Sequence, residues 1–202
     1  MAAFGAFCID QAQGSTQTWV AAAADCMAQG KRLCSETEWV TTCNATGMGM
    51  TDMTNGWEWL AELAGTTSAK KRGDSSCSSS SSHSVIVDGY QTRCCHTPSV
   101  SAAGMADFSS FRIDQAQSGS TIWVASVADC MAQGKRLCSE TEWVTACNAS
   151  GEGMTGMTGN WEWLAELASA TSAKKRGSGA CSDASSHDVT SGSYDTRCCH
   201  TP

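Results

Sequence analysis

Residues Ala24–Thr41, ADCMAQGKRLCSETEWVT, recur letter for letter as Ala128–Thr145. Working outward at the same offset of 104 residues, WEWLAELA stands at 57–64 and 161–168, TSAKKRG at 67–73 and 171–177, and TRCCHTP at 92–98 and 196–202. The match needs no insertion or deletion. Each copy is about 100 residues, the usual size of one domain. Two copies with so long a period predict tandem globular domains, not a solenoid of small stacked units. The expected organisation is a first repeat over 1–98, a small-residue linker over 99–106 and a second repeat over 107–202.

Cysteine usage sharpens the reading. Six cysteines recur between the copies: Cys26/Cys130, Cys34/Cys138, Cys43/Cys147, Cys77/Cys181, Cys94/Cys198 and Cys95/Cys199. Six per repeat suffice for three internal disulfides. The thirteenth, Cys8, has no twin, because Arg112 stands in its place (FCIDQAQ against FRIDQAQ). A leftover cysteine in a disulfide-rich chain points to an intermolecular bond or a free thiol, with a buried, unreacted cysteine as the plainer alternative.

Leu, Ile, Val and Phe together make 23 of 202 residues, a share low enough to suggest disorder in an ordinary chain. Here the charge is modest, and eight tryptophans sit at matched positions: Trp19, Trp39, Trp57, Trp59 and their twins. A buried tryptophan removes a large apolar area from water, so four per repeat can anchor a core that aliphatics do not fill. Disulfides would add roughly 2–4 kcal/mol each. They persist in oxidising surroundings, so the expected location is extracellular or a virion surface. No C-x-x-C pair and no standard zinc spacing is present, which argues against metal ligation, and no cofactor is expected. The opening MAAFGAFCID lacks a basic region and an apolar run and does not read as a signal peptide. No stretch is apolar enough to span a membrane. A net charge of −7 argues against a nucleic-acid partner. The KKR clusters at 70–72 and 174–176 are short and read as solvated loops.

Within one repeat, Thr18–Gln29 has helical spacing of Trp19, Ala23, Cys26 and Met27, with Gly30 at the C-terminal cap. Lys31–Cys34 reads as a connector. Ser35 opens a second helix with a capping box, Ser35-Glu36-Thr37-Glu38. Asn44–Gly56 reads as an irregular loop. The alternation of Trp57 and Trp59 favours a strand, and Ser75–Ser84 is a serine run that stays flexible unless Cys77 pins it. Val85–Val87 and Tyr90–Cys95 read as an antiparallel pair around the Asp88-Gly89 turn. The resulting expectation is α+β, with two helices and a small antiparallel sheet per repeat. Geometry prunes the bridges: with a helix between them, Cys34 and Cys43 would lie roughly 13 Å apart, too far to join. Cys94 and Cys95 point to opposite faces of a strand and so need different partners. The connectivity is otherwise open.

The stretches FCID (7–10), GKRLCSETEW (30–39), GNWEW (159–163) and the closing Y-x-T-R-C-C (90–95 and 194–199) resemble the C-type lectin-like fold, and within it the formylglycine-generating enzyme (sulfatase-modifying factor) branch. The match is to that family's G-R-L-P-T-E-A-E-W and G-N-V-W-E-W, and it covers nearly all of each copy. Copy one departs from it with Asn55-Gly56 where copy two has Gly159-Asn160. The resemblance implies two tandem C-type lectin-like domains. It does not carry activity with it, because the family's reactive, copper-binding cysteine pair lies ahead of the last strand. Here that stretch holds only Cys77 or Cys181, while Cys94 and Cys95 sit in the strand and read as structural. The calcium-dependent sugar motifs E-P-N and W-N-D of true C-type lectins are also missing.

Other groups carry little chemistry. Glu58, Glu62, Asp52 and Asp88 read as solvated carboxylates, and the twin of Asp52 is Gly156. His83 and His187 lie in the serine run without a nucleophile-elbow pattern. His96 and His200 read as exposed. The expectation is therefore a non-enzymatic structural protein, a self-associating building block of a virion surface, fibre or extracellular filament, with Cys8 as the candidate intermolecular link. The alternative is a soluble module that binds a carbohydrate or cell-surface ligand through 74–91 and 178–195, where the copies diverge most.

Overall fold

The computed structural model describes residues 1–45, 48–149 and 152–202. The chain divides into two compact units, Met1–Pro98 and Ser99–Pro202. The first runs β1 (Ala2–Ala3), β2 (Cys8–Ile9), α1 (Trp19–Ala28), β3 (Arg32–Leu33), α2 (Glu36–Cys43), β4 (Trp57–Gly65), β5 (Ser68–Gly73), β6 (Ser76–Ser84), β7 (Gln91–Thr92) and β8 (Cys94–His96). The second runs β9 (Met105–Asp107), β10 (Arg112–Asp114), β11 (Ser118–Thr121), α3 (Trp123–Ala132), β12 (Arg136–Leu137), α4 (Glu140–Asn148), β13 (Glu162–Ser169), β14 (Ser172–Arg176), β15 (Ala184–Asp188), β16 (Tyr194–Thr196) and β17 (Cys198–His200). The class is α+β.

The helices form where local chemistry starts and stops them. Thr18 caps α1 by accepting from the Ala21 N–H, and Gly30, at φ +71°, ends it in the left-handed conformation that glycine adopts without strain. Both capping boxes are complete: Ser35 and Glu38 satisfy each other's backbone N–H at α2, and Ser139 and Glu142 do so at α4.

Each unit holds two sheets. In the first unit these are β1-β2-β8-β3 and β6-β5-β4-β7; in the second, β12-β17-β10-β9 and β11-β16-β13-β14-β15. The Ala61 N–H donates to the Cys34 carbonyl at 2.9 Å, joining β4 to the segment that leads into α2. Trp19, Trp39 and Trp59 are fully buried, as are Trp123, Trp143 and Trp163. The indole N–H groups of Trp19, Trp39 and Trp59 find acceptors in Leu60 O at 2.7 Å, Glu58 Oε2 at 3.0 Å and Gln17 O at 2.9 Å. These three indoles thereby bury a large apolar area with their own N–H groups satisfied.

Several local expectations need correction. The KKR clusters are not loops but lie within β5 and β14. Lys31–Cys34 contains β3, which pairs with β8. Val85–Val87 is not a strand: Tyr90 bridges Gln17, and β7 runs parallel to β4 instead of closing a hairpin. The segment after β6 is held by the Val85 N–H on Thr67 O and by the Val20 N–H on Val85 O, so packing on α1 takes precedence over a local turn. Ala106, inside the expected linker, pairs with Ile113 and is buried in the second unit.

Candidate functional site

The cysteines are bound Cys26–Cys94, Cys34–Cys95 and Cys43–Cys77, and in the second unit Cys130–Cys198, Cys138–Cys199 and Cys147–Cys181. The adjacent pair on the last strand is thus tied to α1 on one side and to the β3–α2 junction on the other. The third bridge pins the serine run, which is strand β6 and not a mobile loop. Cys8 is the free cysteine and is half-buried on β2. Its twin Arg112 pairs with Asp107 at 3.2 Å, and Ala3 stands where that aspartate would be.

Glu58 is not a solvated carboxylate. It is fully buried and accepts from Arg93 Nε at 3.0 and 3.1 Å, Trp39 Nε1 at 3.0 Å and Gln13 Nε2 at 2.8 Å. Burial pushes its carboxyl up, and the Arg93 charge pulls against that. The remaining Arg93 nitrogens donate to the carbonyls of Asp10, Gln11 and Thr51, so one side chain ties the last strand to two loops. Glu162 and Arg197 repeat the arrangement. Glu62 accepts from the Glu36 N–H at 2.9 Å, at the start of α2 where a negative charge is favourable. Asp52 offers its backbone carbonyl to Gln13. Asp88 takes a hydrogen bond from His83 Nδ1 at 2.7 Å. His200 is buried, against the expectation of exposure. Among the described residues no group of three His, Cys, Asp or Glu side chains is placed to hold a metal ion.

The sheet containing β4 and β5 separates charges by strand alternation. Lys70 and Arg72 reach Glu36 at the start of α2, at 2.8 and 2.7 Å. Lys71, between them, lies on the opposite face with Trp57, Trp59 and Tyr90. Its Nζ sits 3.6 Å from the centroid of Tyr90 and 4.6 Å from that of Trp57, and the residue is 3% exposed. Lys175 repeats this against Tyr194 at 3.7 Å and Trp161 at 4.8 Å. His83 meets the Tyr90 ring edge-on at 5.5 Å, as His187 meets Tyr194. Two aromatic faces stabilise an ammonium by about 0.5–2 kcal/mol each, whereas removing it from water without an acceptor costs several kcal/mol. Read as a solvated loop, KKR gives no hint of this face. The alternation of a strand was the available signal.

An open groove of about 490 Å³ runs along Asp10–Ser15, Gln17 and the end of α1. Among the described residues that line it, the one cation is Lys31, engaged by Asp10 at 2.9 Å. No protein-family model matches the sequence, and no curated protein matches it either.

Proposed function

We propose that the protein is a non-catalytic structural module, a disulfide-stapled building block that works in an oxidising, extracellular setting such as a virion surface, fibre or filament. One observation carries this reading: nearly all of the reactive chemistry is closed on itself within each unit. Twelve of thirteen cysteines are bridged, and the buried carboxylates Glu58 and Glu162 are held by Arg93 and Arg197. What is left open is suited to assembly. Cys8 keeps a free thiol, and among the described residues β6 and β15 end their sheets with one edge unpaired. Proline or charge commonly guards such an edge, yet β6 carries neither across its serines. The lectin-like reading of each unit belongs to the same proposal and draws on the stretches that resemble that fold.

The test is gel electrophoresis of native material with and without reductant, joined to sedimentation of the Cys8→Ser variant. A covalent ladder that collapses on reduction, together with a Cys8→Ser variant that sediments as a monomer with both units folded, supports the building block. A reductant-independent monomer for both chains overturns it.

A second reading, a ligand-binding module that uses 74–91 and 178–195, is favoured by the lysine–aromatic face beside those segments.

A further inference from the structure

Every lysine and arginine of the chain can be placed. Eleven of the thirteen end on a carboxylate: Lys31, Arg32, Lys70, Arg72, Arg93, Arg112, Lys135, Arg136, Lys174, Arg176 and Arg197. The other two are Lys71 and Lys175. These are also the lysines drawn furthest from water, 3% and 6% exposed. Among the described residues neither ammonium meets an oxygen acceptor; each lies over two aromatic rings. A mostly buried lysine whose ammonium is still reachable and has unused N–H donors is a place where an anion gains more than it would at the open surface.

The neighbouring side chains are open to solvent. Trp57 and Tyr90 are only partly buried, and Ser81, the cross-strand partner of Lys71, is exposed, as is His83. Between 74–91 and 178–195 eleven of eighteen positions differ, yet Ser81, His83 and Tyr90 recur as Ser185, His187 and Tyr194. Of the other residues retained there, Cys77 is bridged, Val85 is fully buried and the Ser78 carbonyl holds Arg72, which leaves Ser82. Duplication alone preserves any residue. Within this most divergent stretch, both residues that adjoin the lysine, Ser81 across the strand pair and Tyr90 through its ring, are retained.

We propose that Lys71 and Lys175 are the charged floors of two equivalent anion sites. Each takes the carboxylate of a ring-bearing organic acid, as a uronic acid presents it. The ammonium and the Ser81 or Ser185 hydroxyl meet the carboxylate, and the ring lies against Trp57 and Tyr90 or Trp161 and Tyr194. This deepens the ligand-binding reading and is independent of assembly.

The experiment titrates the isotopically labelled full chain with glucuronate and, separately, with glucose, and follows the indole N–H signals of Trp57 and Trp161. Glucuronate should give saturable shifts at both, with two molecules bound per chain, and glucose should give none. Lys71→Gln should abolish the Trp57 shift and leave that of Trp161, halving the stoichiometry; Lys175→Gln should do the converse. Lys71→Arg, which keeps the charge, should retain the Trp57 response, and the Trp39 indole signal reports whether each first-unit variant is folded. Equal shifts from both sugars, unaltered by Lys71→Gln, overturn the anion site and leave the binding surface standing. No shift from either sugar overturns both.

Discussion

Arg93 Nε lies 3.0 Å from Glu58 Oε2, with both side chains entirely removed from solvent. The pair joins the start of the central strand β4 to the residue just before β8, and the guanidinium spends its other nitrogens on loop carbonyls. Removing one member of such a pair strands the other as an unpaired buried charge, which typically costs about 3–5 kcal/mol. Arg93→Leu should therefore destabilise the first unit by that amount and leave the second nearly untouched. Amide exchange resolved by unit, followed by mass spectrometry, measures it; protection in 1–98 that matches the parent chain would contradict the assignment.

A single hydroxyl separates the two units at the end of the central sheet. In the second, Thr196 Oγ1 donates to Ser126 Oγ at 2.6 Å. In the first, Ala22 occupies the serine position, and the buried Thr92 Oγ1 has no hydrogen-bond partner among the described residues. Ala22→Ser should stabilise the first unit by about 1 kcal/mol, and Ser126→Ala should cost the second about 1–3 kcal/mol, because an orphaned buried hydroxyl keeps its desolvation penalty. Urea titration of the two variants checks the opposite signs.

The helix starts differ as well. Thr18 accepts from the Ala21 N–H at 3.3 Å, whereas Ile122, its twin, makes no side-chain cap. Thr18→Ala should cost about 0.5–2 kcal/mol. The replacement should also speed amide exchange in the first turn of α1, while Ile122→Thr slows it in α3.

Acid stability follows from the capping boxes. Burial pushes the Glu38 carboxyl up, but bonds and charge from Arg32, with the Ser35 donors, outweigh it and hold the group below its ordinary 4.5; Glu142 behaves alike with Arg136 and Ser139. A carboxyl lowered in the folded state contributes stability that is fully present above its unfolded value and lost as pH falls through the folded one. Glu58 and Glu162, raised by burial, act in the opposite sense, so the contrast is read by difference. The Glu38→Gln/Glu142→Gln chain keeps a capping amide and loses the charge. It should be less stable near neutral pH, and its stability should fall less steeply below about pH 4.5. Thermal melts across pH 2–7 test this; parallel curves would refute it.

These predictions divide between what the linear chain makes legible and what it hides. Ser35 and Glu38 announce α2 because a capping box lies within four residues, and Gly30 announces the end of α1 for the same reason. Cys34 was separable from Cys43, and Cys94 from Cys95, because helix rise and strand alternation are local geometry. Val85–Val87 misled, since its β-branched residues favour a strand while a hydrogen bond to α1, distant in sequence, decided otherwise.

The sequence by itself determined the duplication, the class, the helix boundaries and the surplus of one cysteine, because each follows from counting or from contacts a few residues apart. Tertiary structure alone decided which cysteines meet, that Glu58 is buried against Arg93, and that Lys70 and Lys71 part to opposite faces of one strand. Those outcomes depend on strand register and on which face α2 covers, and both are set by the packing of segments tens of residues apart.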